Sequence, residues 1–219
     1  MKKKFVNILF ITALSISLFS CKDKAKEAKT TEAETPVVTE AADAKVYAVD
    51  KAASAIAWTG FKPTGSHNGT IGLESGVLNV ANGKVVGGSF IIDMKSITVL
   101  DIPADDEGNA KLHGHLTNAD FFDVEKYPSA IFTITEVKEV EGKTMLSGNL
   151  TLKEVKNNVT FPVAISSEGG AVTITSEAFS IDRTKWNVQY GSKSIFDNLG
   201  DKFINDDIEL KITVKAAKS

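Results

Sequence analysis

The sequence predicts an all-β domain of antiparallel strands, and three observations carry that reading. Apolar residues recur with a period of two: Ile208, Leu210, Ile212 and Val214 alternate with Glu209, Lys211, Thr213 and Lys215, the pattern of a half-buried strand. Turn signals separate such runs: Asn82-Gly83, Glu141-Gly142-Lys143 and Gly169-Gly170 supply the positive φ that tight hairpins need. No helical crossovers of roughly 10–15 residues lie between the runs, as parallel pairing would require.

The N-terminus is not part of that domain. Met1 to Lys4 is basic, and Phe5 to Phe19 is apolar but diluted by Asn7, Thr12, Ser15 and Ser17. That is too short and too polar for a permanent span, which needs roughly 20 mostly apolar residues. Leu18-Phe19-Ser20-Cys21 resembles a bacterial lipobox. Residues 1–20 therefore read as a lipoprotein signal peptide, with Cys21 acylated and attached to the membrane. Each buried CH₂ of an acyl chain contributes about 0.8 kcal/mol, and two or more chains anchor stably. Lys22 follows the cysteine where an Asp would favour the inner membrane, so the expected location is the bacterial envelope, at the outer membrane. Cys21 is the only cysteine of the 219 residues, so no intramolecular disulfide can form.

From Lys22 to Lys45 the chain is mostly Lys, Glu, Ala and Thr, without apolar periodicity. Such a segment buries too little to offset its ordering entropy, and residues 21–45 are expected to be a flexible tether. Residues 46–219 are long enough for one domain with a real core. Without Lys2, Lys3 and Lys4, 22 basic minus 28 acidic residues gives −6. No basic run marks a nucleic-acid partner.

Within the domain, strands are expected at Val77–Val80, around Phe90-Ile91-Ile92-Asp93-Met94, at Ile131–Val140, at Met145–Leu152 and around Val159–Ile165, with Asn157-Asn158 opening the last of these. Pro162 marks an edge, a bulge or a sharp bend there. Leu116 to Phe122 reads as a short helix capped by Thr117 or Asn118 and stopped before Pro128, inside a long connection, Ile97–Tyr127, of the kind that covers an opening. Eight or nine strands fit either a sandwich or a closed barrel. Gly87, Gly88 and Gly148 inside strands speak for strong bending. An exposed edge strand would permit a homodimer.

Leu112 to Pro128, with its Asp-Phe-Phe-Asp-Val-Glu-Lys-Tyr-Pro core, resembles the signature of the YceI-like family. Leu146-Ser147-Gly148-Asn149-Leu150-Thr151-Leu152 and Ile181-Asp182-Arg183-Thr184-Lys185-Trp186 resemble its later motifs, in the family order, and Tyr47–Asp50, Ile56–Trp58 and Ser96–Thr98 match as well. The resemblance spans Val46–Val214. It implies an eight-stranded lipocalin-like antiparallel β-barrel whose long pocket takes a polyisoprenoid, a prenyl quinone or another long amphiphile such as a fatty acyl chain. The chain departs from the pattern at Glu154, where a Gly is common, at Lys111 and Gly114, and in the acidic insert Asp101–Glu107. These changes are expected in loops near the mouth.

Candidate pocket-wall residues are Phe90, Ile92, Met94, Phe132, Ile134, Leu146, Leu150, Leu152, Phe161, Val163, Leu210 and Ile212, with Phe121 and Phe122 as a plug or as further ligand contacts. His113, His115, Arg183 and Trp186 are candidates for the headgroup end. On a strand, His113 and His115 would share a face, and with His67 they form the alternative of a metal site. A filled barrel acting as an interaction module is the other alternative. No nucleophile elbow, phosphate loop or catalytic triad spacing is present, so no enzyme and no cofactor are expected. An apolar chain needs only apolar area, at about 25 cal/mol per Å², so the expected ligand range is broad.

Overall fold

The computed structural model describes residues 25–36 and 43–218; the signal segment and Cys21 lie outside the described residues. The strands are β1 (Lys26–Glu27), β2 (Lys29–Glu32), β3 (Lys45–Val49), β4 (Ala55–Lys62), β5 (Gly65–Ala81) and β6 (Lys84–Val99). After helix α1 (Glu107–Thr117) come β7 (Ser129–Val140), β8 (Lys143–Leu152), β9 (Val155–Glu168), β10 (Ala171–Ser176), β11 (Phe179–Asp182) and β12 (Asp207–Lys218). Antiparallel pairing runs β4–β5–β6–β7–β8–β9–β10–β12 and returns to β4. The ring is a closed eight-stranded barrel, which decides between the two all-β architectures open to the sequence.

Two positions in the ring are interrupted strands. β3 and β4 lie one after the other between β5 and β12. Their junction is a turn in which Asp50 Oδ1 accepts from the amides of Ala52 and Ala53. β10 and β11 likewise follow one another along β12.

Bending is written into the glycines and bulges. The β5–β6 register shifts three times, and β7–β8 shifts between Ile134 and Glu136. At Gly148 a Cβ would lie 2.2 Å from the Phe132 ring, which leans across the strand. Gly148→Ala is expected to cost about 1–3 kcal/mol through overpacking, read as a lower denaturant midpoint.

Three hairpins turn where glycine predicts them, at Asn82-Gly83, Glu141-Gly142 and Gly169-Gly170, all with positive φ. The β8–β9 hairpin does not. Asn157 and Asn158 lie inside β9, and the turn is made by Lys153 (φ 46) and Glu154 (φ 65). Nothing in a Lys-Glu pair announces a left-handed turn; the family's glycine at 154 would have. Glu154→Gly is expected to raise stability by about 1 kcal/mol, seen as a higher melting temperature.

Helix α1 precedes the predicted one. Asp106 caps it by accepting from the Gly108 amide at 2.7 Å, and Asn118, expected as an N-cap, stands at its C-terminal end. Gly108 and Gly114 hide the helix from a propensity reading. Leu116 is its last buried residue, and Phe121 and Phe122 follow in a tight turn closed by Asp123 N to Asn118 O at 2.7 Å and Val124 N to Thr117 O at 3.1 Å.

The tether reading fails for part of its length. β1 runs parallel to β11, pairing Lys26 with Phe179 and Glu27 with Ser180, and β2 runs antiparallel to β9, from Lys29 opposite Thr160 to Glu32 opposite Asn157. The segment buries little of its own, and backbone pairing with β11 and β9 holds it instead.

Candidate functional site

Alternation along the ring turns one apolar face inward, and the space it encloses forms two adjoining chambers. The outer chamber lies under α1 and the Phe121–Phe122 turn and has about 130 Å³ open to the centre of a water molecule; the inner one has about 90 Å³. Together they have room for on the order of 15–20 waters, or roughly 500 Å³ of liquid, within the range of small-molecule pockets. Ile56, Ile92, Leu150, Ile181 and Leu210 line both chambers and form the waist between them.

Most wall candidates face this space. Met94, Phe121, Phe122 and Leu152 line the outer chamber, and Phe90, Phe132, Leu146, Phe161, Val163 and Ile212 the inner one. Ile134 does not. It is buried beside Gly88, where a Cβ would meet its Cδ1 at 3.3 Å, and packs in the wall. Sequence reasoning missed Trp58, Ile71, Ile97 and Leu116 in the outer chamber and Val159 and Phe179 in the inner one. Val159 follows the parity of Phe161, and Trp58 that of Ile56; either could have been found by extending the alternation.

Trp186 lines neither chamber and belongs to the frame rather than to the headgroup end, whereas Arg183 lines the outer chamber and also serves the frame. Both are fully buried. The Arg183 guanidinium donates to the carbonyl oxygens of Asn205 (3.1 Å) and Ile204 (3.1 Å) and to that of Val188, and lies 3.6 Å from Asp206. Its Cζ lies over the Phe121 ring, 5.3 Å from the ring centre. Trp186 Nε1 donates to the Leu150 carbonyl at 3.0 Å. These bonds hold the 187–206 loop over the mouth.

The histidines separate. On α1, residues two apart point to different faces, so the shared face expected of His113 and His115 does not exist. His115 lines the outer chamber against Phe121 and Tyr190; His113 does not line it. His67 also lines the mouth and pairs with Asp101 at 2.8 Å. Among the described residues no group of three or more His, Cys, Asp or Glu is placed to hold a metal ion. The acidic insert is used structurally, Asp101 on His67 and the Asn68 amide and Asp106 as the helix cap.

Two polar atoms at the chamber, Trp58 Nε1 and His115 Nε2, are buried without a partner. Burial pushes the His115 imidazole below its ordinary value of 6.5, with Lys62 and Arg183 adding to the effect and Asp120 opposing it. The unfolded chain therefore binds the proton first as pH falls. The stabilising contribution is complete above about 6.5 and is lost as pH falls from there toward the lower folded value. A melting temperature that drops between neutral and mildly acidic pH, and drops less in His115→Phe, is the expected outcome.

A closed antiparallel barrel around an apolar cavity places the protein among the small ligand-enclosing β-barrels. The chain belongs to the YceI-like family: residues 47–216 match the YceI-like domain. It is 39% identical to a UPF0312 protein of Photorhabdus laumondii over 87 residues, 37% of this chain and 43% of that one. It is 42% identical to a UPF0312 protein of Pseudomonas putida over 62 residues, 28% of this chain and 32% of that one. These matches span less than half the length of either relative. Among solved structures, Burkholderia cenocepacia BcnA superposes with a TM-score of 0.61 at 22% identity, covering 77% of this chain and 99% of that one. A polyisoprenoid binding domain from Saccharophagus degradans, implicated in plant cell wall breakdown, gives 0.59 at 14% identity, covering 79% and 98%. Both likenesses speak to the fold.

Proposed function

We propose that this protein is a bacterial envelope lipoprotein that holds one long apolar molecule, a polyisoprenoid, prenyl quinone or fatty acyl amphiphile, inside its barrel. The observation that carries the reading is the pair of adjoining chambers, whose shared waist is made only of Ile and Leu side chains. Such a wall stabilises a chain by the area it takes out of water. The waist itself gives no grip on a reacting group, which supports a carrier rather than a transforming role. The solved polyisoprenoid binding domain of the same fold supports the ligand class. Cys21, acylated, anchors the protein to the membrane, with the outer membrane as the proposed site.

The test is organic extraction and mass spectrometry of the full chain purified from bacterial envelopes, with uptake assays using prenyl quinones and fatty acids. A stoichiometric prenyl or acyl species supports the carrier. An empty extract with no uptake overturns it and leaves an interaction module. Diacylglyceryl mass on the peptide beginning at Cys21 tests the anchor separately; an unmodified N-terminal peptide overturns that part.

A further inference from the structure

We infer that the wedge between β9 and β11 is a lateral portal into the cavity and that residues 26–32 are its removable shutter. The inference rests on the carrier reading above and adds a route by which the ligand enters and leaves.

The wedge has a cause in the sequence. The β9–β10 ladder ends where Val163 faces Ser176, next to Pro162, which has no N–H to give a neighbour. β11 then resumes along β12, and among the described residues β9 and β11 do not pair with each other. The split opens directly onto the inner chamber. Val159 and Phe161 line that chamber from one side of the wedge, and Phe179 and Ile181 from the other. The Phe161 and Phe179 rings stack at 4.2 Å across it.

The shutter bridges the split. Its first residues pair with β11, ending with the Ala28 amide on the Ser180 carbonyl at 2.8 Å, and the rest crosses to β9. Ala28 is its only buried side chain, 6% exposed and part of the core. Beyond β2, the Asn149 side chain accepts from the Glu34 amide at 3.0 Å and donates to the Glu34 carbonyl at 2.6 Å. The seat is therefore specific.

It is also weak. Lys, Glu and Ala are poor strand formers, one Ala buries little, and the Lys185–Glu27 pair is solvent-exposed. An element held by a few backbone bonds opens well below the free energy of global unfolding. The eight ring strands have long ladders and most of the buried apolar side chains, so the shutter is the part of the wall that leaves first. Withdrawing it frees a slot one strand wide, about 4.8 Å of added spacing. Lys26 stands five residues after Cys21, at most about 18 Å of chain, so with Cys21 anchored as proposed the shutter starts close to the bilayer surface.

The test uses the full lipidated chain on phosphatidylethanolamine–phosphatidylglycerol vesicles, loaded with a fluorescent C20 isoprenoid alcohol, with transfer to acceptor vesicles as the readout. Ala28→Glu puts a charge where the shutter buries a methyl. Lys29→Cys with Thr160→Cys, a directly opposed pair, locks it by a disulfide. We expect Ala28→Glu to speed transfer about tenfold or more, because exchange follows the opening equilibrium, and the oxidised lock to slow it by a similar factor, reversibly on reduction. Hydrogen exchange at Val159, Thr160 and Ser180 verifies that the shutter is released or held. Unchanged transfer with verified release and locking overturns the portal and routes the ligand through the mouth. A wild-type chain that takes up no probe overturns the carrier reading itself, and the portal with it.

Discussion

Replacing Arg183 by Met is expected to lower stability by about 3–5 kcal/mol, the usual consequence of removing one member of a buried charged pair. Arg183 has no exposed surface and satisfies three backbone carbonyls, those of Val188, Ile204 and Asn205, with Asp206 beside it. Met fills similar space but donates nothing. Three carbonyls would lose their donor at once, and each buried unsatisfied group costs about 1–3 kcal/mol, softened where the loop rearranges to admit water. Arg183→Lys is expected to rescue only part of the loss, because one ammonium cannot span carbonyls spread around a planar guanidinium. Chemical denaturation gives the stability change, and hydrogen exchange at residues 187–206 should show the mouth loop loosened first. A Met variant within about 1 kcal/mol of wild type would show that the loop stands without its central bolt.

That arginine illustrates what a sequence conceals. An arginine after an apolar strand invites a ligand role, and only the carbonyls converging on it from the 188 and 204–205 segments show that this chamber-lining residue also braces the fold. The barrel's wall was legible because alternation is local: Phe90, Ile92 and Met94 declare one face within five residues. Ile134 keeps the parity of Phe132, in unbroken register opposite Gly148, and still misses the cavity, because its side chain is taken up in packing beside Gly88. The helix at Glu107 and the turn at Lys153-Glu154 were hidden because their local preferences run against their conformations, and tertiary contacts decided. Lys153 Nζ, for one, donates to the Phe121 carbonyl at 2.7 Å and ties that turn to the cover. The inserted strand at Lys26–Glu32 was hidden for a different reason. Its pairing partners lie more than a hundred residues away, and its own side chains contribute almost nothing to the bond.

Filling the waist should change ligand length preference more than it changes affinity for short chains. Ile92 lines both chambers and is 7% exposed. Ile92→Trp places an indole across the passage, at an overpacking cost of about 1–3 kcal/mol that the barrel can bear if it is otherwise intact. A C10 isoprenoid alcohol fits the outer chamber and should bind nearly as before. A C20 alcohol loses the carbons that had occupied the inner chamber. At about 0.8 kcal/mol per CH₂, shedding the equivalent of four methylenes weakens binding by roughly two orders of magnitude. In the wild type, affinity should climb with chain length until both chambers are full and then level off. An added isoprene unit should count through the area it buries past the apolar waist, whereas a change of headgroup is read only at the outer chamber, where His67 and His115 stand. Titration of the two alcohols against both proteins decides the matter. Equal weakening of both lengths would mean that the indole merely unsettled the barrel, and no weakening of either would mean that the chain never passes the waist. Selective loss of the longer one identifies the paired chambers as a single ligand-binding channel that measures length.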